Sequence, residues 1–334
     1  MDAKITKQRL GLMLSYDWIK IIFAAIAGIV AWALIFTMTA TKLTSSQRFT
    51  IFNYTGNVSF SQNFYDEYDA LKAKGVFSYE IMELNVGDMT IDDRYGSQIL
   101  ETRMATGEGN AIFVGDELNK KAAYQENGET KYKSYVDSFV LGWDNYILDL
   151  DPESETGFFK RMEAYLDGFY DKGYANKESV LDKAKVEREF RARVKKNKDK
   201  RFKTEKQIQK GITQEEARID KYRTALLKFN DYLAKGYITL EKMTCSSAYE
   251  PENVVEKFAI NLCPNEETMG SLRNTVCYRK TYKDENGKEQ YKYTAENMRI
   301  FFFDLAGMDK DFEYENLLYV VHLVDTHCTE LKKA

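Results

Sequence analysis

The residues that most often carry acid–base and metal chemistry are scarce in this sequence. Its 334 residues include only two histidines, His322 and His327, with Asp325 and Cys328 beside them. Two histidines on one face of a helix are four residues apart, whereas a spacing of five splays the rings by ~140°. The sequence also lacks a P-loop, a G-x-S-x-G motif and a dinucleotide-binding glycine motif. We therefore predict no metal site, no cofactor and no catalytic residues, and an enzyme is the least favoured class of protein.

The four cysteines leave two interpretations open. Cys245, Cys263, Cys277 and Cys328 are spaced by 18, 14 and 51 residues, without the close C-x-x-C pairs that zinc sites use. Outside the cytoplasm, an even number of cysteines permits two disulfide bonds in three possible pairings. The same residues are equally typical of small buried apolar side chains.

Candidate ligand-binding residues form two groups. One group follows two predicted strands, and ligands of open α/β sheets bind beyond the carboxyl ends of strands. The other is an aromatic pair in the segment Gly-Trp-Asp-Asn-Tyr, of the kind that lines small-molecule pockets. Ordinary loop and core packing is the alternative for both groups. The candidates are Tyr54, Thr55, Asn57, Gly115, Asp116, Trp143 and Tyr146.

An alternation of strand and helix patterns must position these residues. Residues 49–54, 76–86 and 111–114 predict strands, the last of them a short apolar run bounded by glycines. Residues 61–74 and 95–106 predict helices from their apolar spacing. The order β-α-β-α-β implies an open α/β sheet with right-handed crossovers.

The rest of the chain combines hairpins, long helices and a return to mixed structure. Asn-Gly pairs at 127–128 and 286–287 predict two tight hairpins, because tight turns need the positive φ angles that these residues adopt. Residues 158–243 form a predicted helical block. Further predicted elements are a strand at 258–262, an apolar run at 298–305 and an amphipathic helix at 314–331.

Charge is strongly segregated along the chain. The whole chain has a net charge of −4, which argues against a nucleic acid as partner. Residues 183–210 alone contain thirteen basic and four acidic side chains, a net charge of +9. This basic segment has three open interpretations: it attracts an anionic wall polymer or phospholipid surface, it packs against the acidic remainder of the body, or it is a solvated charged helix.

Twenty residues without a charge, from Ile21 to Ala40, predict a helix that crosses the lipid bilayer. At 1.5 Å per residue the stretch matches the ~30 Å hydrocarbon core. Four basic residues precede it and two follow closely, which favours a cytoplasmic N-terminus and an extracytoplasmic body. We predict a single-pass protein of the cell membrane. A cleaved signal peptide is the less favoured alternative, because its apolar region is usually shorter.

The segment YGSQILETRMATGEGNAIFVGD, from Tyr95 to Asp116, resembles the first lobe of extracytoplasmic solute-binding proteins of ABC transporters. In that family a helix ending in Ala-x-Gly-x-Gly leads into a short buried strand, although its usual Pro-Asp is replaced here by Asn110-Ala111. The resemblance covers roughly residues 49–124, with weaker support from 258–331. It implies capture of a small solute in a cleft without catalysis, with a membrane permease as partner.

These patterns together predict an α/β fold: an N-terminal transmembrane helix, then an open, solute-binding-protein-like body with a charged helical insertion. Two functions follow from them. The first is a membrane-anchored bacterial module that captures a small solute. The second is a non-catalytic envelope protein whose basic helical block contacts anionic wall polymer, lipid or a protein partner. The predicted divisions are a cytoplasmic tail (1–17), the transmembrane helix (18–40), a first α/β lobe (41–157), the helical block (158–243) and a C-terminal α/β part packing back on the body (244–334).

Overall fold

The chain divides into two compact units, Met1–Lys42 and Leu43–Ala334. A computed structural model describes residues 7–39, 43–54, 62–88, 96–126, 128–246, 252–304 and 312–333. The first unit is helix α1, Lys7–Thr39, in which Trp18–Thr37 has a mean hydropathy of 2.5 and is long enough to cross a bilayer. Large apolar side chains such as Phe23 and Ile29 are 69% exposed within this unit. Length and composition therefore suit a membrane anchor or a signal sequence.

The strands of the second unit build one central sheet and two hairpins in the described part of the chain. They are β1 (Arg48–Tyr54), β2 (Glu83–Asp88), β3 (Ala111–Val114), β4 (Leu118–Glu126), β5 (Glu129–Ser134), β6 (Thr239–Ser246), β7 (Val254–Asn261), β8 (Tyr278–Lys283), β9 (Glu289–Thr294) and β10 (Arg299–Phe302). The order across the central sheet is β2-β1-β3-β10-β7-β6. Strands β4 and β5 form one hairpin, and β8 and β9 form the other, as the two Asn-Gly pairs predict.

Helices cover the sheet. They are α2 (Gln62–Ala73), α3 (Gly96–Ala105), α4 (Tyr135–Trp143), α5 (Phe158–Asp167), α6 (Lys183–Asn197), α7 (Glu205–Ala234), α8 (Glu266–Met269) and α9 (Glu315–His327). Several begin at side-chain caps that the sequence supplies. Ser134 with Asp137 forms a capping box at α4, and Thr204 with Gln207 does the same at α7.

Strand β1 pairs in parallel with both β2 and β3, so the predicted β-α-β-α-β arrangement is confirmed. Its two crossovers place α2 and α3 on opposite faces of the sheet, as successive right-handed crossovers in this order require. Strand β10 runs antiparallel to β3 and to β7. The sheet is therefore mixed, and strands from the C-terminal part complete a sheet that the N-terminal part begins.

Alternating side chains of the strands build a core on each face of the sheet. On one face Phe49, Ile51 and Phe113 pack with α2, α5, α7 and α9. On the other, Phe52 and Ile112 pack with α3 and α4. All five side chains are fully buried. The molecule is thus a three-layer α/β arrangement in which both sheet faces are covered.

Four predicted elements differ from the structure. The strand expected at 258–262 is β7, which begins four residues earlier, at Val254. The helical block was expected to reach residue 243, but Gly236 has a φ of +70° after α7 and β6 begins at Thr239. The strand expected at 76–86 begins only at Glu83, because Ser78 N–H donates to the buried Glu315 carboxylate and holds this segment as turns. The helix expected at 314–331 ends at His327, and it is buried on almost every side rather than amphipathic.

Candidate functional site

Tyr54, the first predicted ligand residue, belongs to the core. Its ring is buried against Tyr135 and Phe139, with ring centroids 6.2 Å and 5.7 Å away. Burial, with a smaller contribution from Tyr135, raises the pKa of Tyr54 to about 12. Thr55 and Asn57, predicted to follow it at the same sheet edge, lie outside the described residues.

Tyr278 packs beside the end of β3. A Cβ at Gly115 would lie 2.7 Å from Cγ of Tyr278, so the ring of Tyr278 lies directly against this glycine. The Tyr278 hydroxyl donates to the carbonyl oxygen of Glu296 at 2.5 Å, which fixes the ring there. Asp116 Oδ2 lies 3.5 Å from Arg299 Nη1 and is partly buried.

Trp143 and Tyr146 lie at the opposite edge of the sheet. Their ring centroids are 6.3 Å apart, and both rings pack partly buried against the core. Ile147 bridges Phe303, which follows β10 at the amino end of β3. Helix α4 runs between the two edges, and its nine residues span ~12 Å. The structure therefore separates this aromatic pair from Tyr54, Gly115 and Asp116.

The carboxyl edge of the parallel strands carries a polar cluster that the sequence did not reveal. Arg299 Nε donates to Glu241 Oε2 at 2.9 Å. Asn261 Nδ2 donates to Glu241 Oε1 at 2.7 Å and to Asn297 Oδ1 at 3.0 Å. Asn297 has a φ of 56°, a left-handed conformation that few residues other than glycine adopt. We call Asp116, Glu241, Asn261, Asn297 and Arg299 the carboxyl-edge cluster. In the sequence, the only indication of it is one arginine inside the apolar run 298–305.

Exposed lysines surround the turn between α6 and α7. Helix α6 ends at Asn197, and the next residue, Lys198, has a φ of 50° that reverses the chain. Seven lysines within sixteen residues are exposed, and none has a carboxylate partner in the described part of the chain. They are Lys195, Lys196, Lys198, Lys200, Lys203, Lys206 and Lys210, which we call the lysine corner.

Arginines of the same basic segment turn inward and attach it to the body. Arg193 and Arg201 both donate to the buried carboxylate of Glu80, at 3.1 Å and 2.6 Å. Glu215 Oε2 accepts from Arg193 at 2.8 Å, and Glu215 Oε1 accepts from the buried Arg218 at 2.6 Å. Burial raises the pKa of Glu215, but the charges of Arg218 and Arg193 outweigh this and hold it below its ordinary value. We call these five residues the arginine root.

Two of the three interpretations of the basic segment therefore apply to different side chains. The arginines of the arginine root pair with its two carboxylates, whereas the lysine corner stays solvated. A guanidinium forms several hydrogen bonds in one plane and is weakly hydrated, while an ammonium group keeps its water. This difference explains why the buried Glu80 carboxylate is paired with Arg193 and Arg201 rather than with lysines.

The two histidines meet on one carboxylate. His322 Nε2 lies 3.3 Å from Glu67 Oε1, and His327 Nε2 lies 3.2 Å from Glu67 Oε2. The five-residue spacing that splays the rings places them on either side of this glutamate of α2. Thr275 Oγ1 also donates to Glu67 Oε2 at 3.2 Å. Sequence reasoning missed this cluster, because Glu67 is 255 residues before His322 in the chain.

The cysteines are free thiols in this structure. Cys245 Sγ donates to Asp137 Oδ1 at 3.3 Å, and Cys263 is fully buried at the end of β7. Burial raises the pKa of both thiols to about 12. Both therefore stay protonated near neutral pH and are poor nucleophiles.

The described residues thus offer three polar arrangements: the carboxyl-edge cluster, the lysine corner on its arginine root, and the Glu67 cluster. No group of three or more metal-ligating side chains among the described residues has the geometry to hold a metal ion. Comparison of the chain with protein-family models, with curated proteins and with solved structures finds no match.

Proposed function

We propose that this chain is a membrane-anchored, non-enzymatic binding protein whose lysine corner associates with an anionic lipid surface. The observation that carries the proposal is the set of seven exposed lysines without carboxylate partners in the described part of the chain. Like charges at this density repel one another, and an external anionic surface removes that cost. Each lysine near an anionic membrane contributes about 1 kcal/mol of attraction.

The apolar helix supports a lipid surface as the partner. Strand β1 begins nine residues after α1 ends, and an extended chain of that length reaches at most ~30 Å. An anchored body would therefore stay close to lipid headgroups at a high effective concentration. In this proposal the N-terminus is cytoplasmic and the body is extracytoplasmic, in line with the flanking charges.

Lysine footprinting on the full chain tests the proposal. The protein is reconstituted in phosphatidylcholine vesicles with or without phosphatidylglycerol, and acetylation of each lysine is followed by mass spectrometry. With phosphatidylglycerol, we expect the lysine corner to react at least about threefold more slowly, and added salt should remove this protection. The exposed lysines Lys74, Lys177 and Lys332, elsewhere on the body, serve as internal controls.

Equal acetylation rates in both kinds of vesicle would contradict the proposal. Protection by soluble poly(glycerol phosphate) in neutral vesicles, without any effect of phosphatidylglycerol, would assign the corner to a wall polymer instead. The triple variant Lys203→Gln, Lys206→Gln, Lys210→Gln should lose protection of the remaining corner lysines. The same change at the three control lysines should leave the protection intact.

A second candidate function is capture of a small solute at the carboxyl edge, followed by delivery to a membrane permease. The sheet order β2-β1-β3 supports it. In open α/β sheets, ligands bind beyond the carboxyl ends of two neighbouring strands whose connections cross opposite faces of the sheet. The resemblance to solute-binding proteins points to the same edge.

Thermal unfolding of the full chain in detergent, with sugars, peptides and ions added singly, tests solute capture. A bound solute stabilises the native state and raises the unfolding temperature. The shift should be lost in Glu241→Gln and kept in the triple lysine variant. If no compound shifts the unfolding temperature, the carboxyl-edge cluster is structural and solute capture is wrong.

A further inference from the structure

The hairpin of β8 and β9 presents adjoining tyrosine rings to solvent. Tyr291 and Tyr293 are 60% and 56% exposed, and their ring centroids lie 5.9 Å apart. The guanidinium of Arg279 lies 5.6 Å from the ring centroid of Tyr291. These three side chains share one face of the hairpin with Thr281, because residues directly opposite each other in a sheet point to the same side. Adjoining exposed rings, unlike scattered ones, are typical of an interaction surface.

The outer edge of β9 offers backbone hydrogen-bonding groups beside these rings. In the turn, the N–H of Asp284 donates to the carbonyl oxygen of Lys288 at 2.9 Å, so these two residues form a hydrogen-bonded pair of the antiparallel ladder. Hydrogen-bonded and non-hydrogen-bonded pairs alternate, and the register places Tyr291 and Tyr293 in non-hydrogen-bonded pairs. Their N–H and C=O groups therefore point away from β8. Within the described ranges of the chain, no third strand pairs with this hairpin.

The hairpin lies at the opposite edge of the central sheet from the lysine corner. It leaves the body beside the carboxyl end of β3, where Tyr278 packs against Gly115. The arginine root attaches the lysine corner to Glu80, which precedes the amino end of β2. Both β2 and β3 run parallel to β1, so these two ends belong to opposite edges. The lipid contact proposed for the lysine corner therefore does not account for the exposed tyrosines.

Two copies of β9 complement each other in an antiparallel register centred on Tyr291. In this register Tyr291 lies opposite the second copy's Tyr291, Gln290 opposite its Lys292, and Glu289 opposite its Tyr293. No like charges meet, and an aromatic pair lies at the centre, which stabilises a sheet. The central residue has outward N–H and C=O groups, so the two copies can exchange two hydrogen bonds there.

The other symmetric registers of β9 are less favourable. A centre at Glu289 or at Lys292 places two like charges directly opposite each other, which destabilises a sheet. A centre at Gln290 opposes Lys288 to the second copy's Lys292. A centre at Tyr293 requires pairing by the buried base of the hairpin. Charge and burial therefore select one register.

We propose that this chain forms a two-fold symmetric dimer through the outer edge of β9. The two hairpins then build a four-stranded antiparallel sheet in the order β8-β9-β9-β8. Main-chain hydrogen bonds join the copies, as in other cases where a strand is added to an exposed sheet edge. The same residues serve both copies, which is the symmetry of most homodimers.

Cysteine cross-linking of the full chain in detergent micelles tests the register. With Tyr291→Cys, the two Cα atoms would lie about 5.5 Å apart, within the range that a disulfide bond spans. Mild oxidation should therefore produce a covalent dimer. Gln290→Cys is the matched control, because residue 290 and its copy would be about 8 Å apart, too far for a disulfide bond. The unmodified chain, with its four native cysteines, gives the background.

Sedimentation equilibrium in detergent tests the dimer by charge. Tyr291→Glu should weaken dimerisation at least about tenfold, because two carboxylates would lie opposite each other and the aromatic pair would be lost. Tyr291→Lys should do the same, and an equimolar mixture of the two variants should dimerise again. Tyr282→Glu is the control, since this exposed ring lies on the other face of the same hairpin, and it should leave dimerisation unchanged.

The proposal is overturned if the unmodified chain is monomeric, if Gln290→Cys cross-links as well as Tyr291→Cys, or if mixing the two charge variants restores nothing. A monomeric chain would assign the exposed tyrosines to a different partner. The triple lysine variant of the corner should dimerise normally, so failure of the lipid proposal and failure of this one are distinguishable.

Discussion

At the residue scale, arginine and lysine carry the same charge but lie in different surroundings in the basic segment. Arg201 Nη2 donates both to Glu80 at 2.6 Å and to Asp199 at 2.7 Å. The neighbouring Lys200 is exposed. A planar guanidinium can satisfy two carboxylates at once, whereas an ammonium group of the same charge cannot reproduce this geometry.

Arg201→Lys should therefore destabilise the protein by about 1–2 kcal/mol although it keeps the charge. The free energy of unfolding, measured by urea denaturation of the full chain in detergent, checks the value. Lys200→Arg is the control and should change it by less than about 0.5 kcal/mol, as exposed substitutions usually do. Equal effects of the two variants would show that only the charge matters at Arg201.

Glu67 makes the stability of the fold depend on pH. Burial raises its pKa, but the close contacts of its carboxylate with His322 and His327 lower it by more, so the pKa lies well below its ordinary range. A carboxylate with a lowered pKa stabilises the folded state above its unfolded pKa of ~4.3. That contribution is lost as the pH falls toward the folded pKa.

Glu67→Gln should cost about 1–3 kcal/mol of unfolding free energy at pH near 6, because two histidines lose a charged acceptor. The difference in unfolding free energy between the variant and wild type should shrink below a pH of about 4, because protonation of Glu67 then begins to remove the same stabilisation from wild type. Urea unfolding of the variant and of wild type across this pH range measures the difference. Asp69→Asn, an exposed change on the same helix, should show no such pH dependence.

At the element scale, Gly211 lets α7 approach two aromatic side chains. A Cβ at this position would lie 2.7 Å from Phe202 and closer still to Phe190. Phe190 of α6 and Phe202 of the turn form a small core of their own with Ile212. The glycine therefore fixes how α6 and α7 pack, and with them the base of the lysine corner.

Gly211→Ala should destabilise the chain by about 1–3 kcal/mol, because the added methyl group overpacks this small core. Gly142→Ala in α4 is the matched control, since nothing lies within 4 Å of its added Cβ. That change should raise stability by about 0.5–1 kcal/mol through helix propensity. Chemical denaturation of both variants measures the contrast, and a stabilising Gly211→Ala would contradict the packing described here.

At the scale of the whole molecule, the apolar helix and the body are separate compact units. The three cores of buried side chains found among the described residues all consist of residues from the second unit. The body should therefore not need the apolar helix in order to fold. The apolar helix in turn has the length and hydropathy to act on its own in a bilayer.

A protein that begins at Leu43 should fold with the same cooperative unfolding as the full chain and should remain in solution without detergent. Circular dichroism and thermal unfolding test its fold. Flotation on phosphatidylcholine vesicles tests attachment, and only the full chain should float. Aggregation or non-cooperative unfolding of the shorter protein would show that the body depends on the helix.

Local patterns were sufficient for the features that depend on near neighbours in the chain. Strand β3 was predicted at its observed bounds because an apolar run between glycines needs no distant partner to be recognised. The two Asn-Gly hairpins, the parallel pairing of β1 with β2 and β3, and the apolar helix follow from patterns of the same local kind. The charge of the basic segment was also evident from the sequence alone.

The tertiary structure decided which distant residues meet. It placed Tyr278 beside Gly115, Glu67 between His322 and His327, and Trp143 at the sheet edge opposite Tyr54. Within the basic segment it set Arg193 and Arg201 against buried carboxylates and left the seven lysines of the lysine corner exposed. These outcomes depend on packing between elements separated by tens to hundreds of residues, and no periodicity of hydrophobic or charged residues along the chain records such contacts.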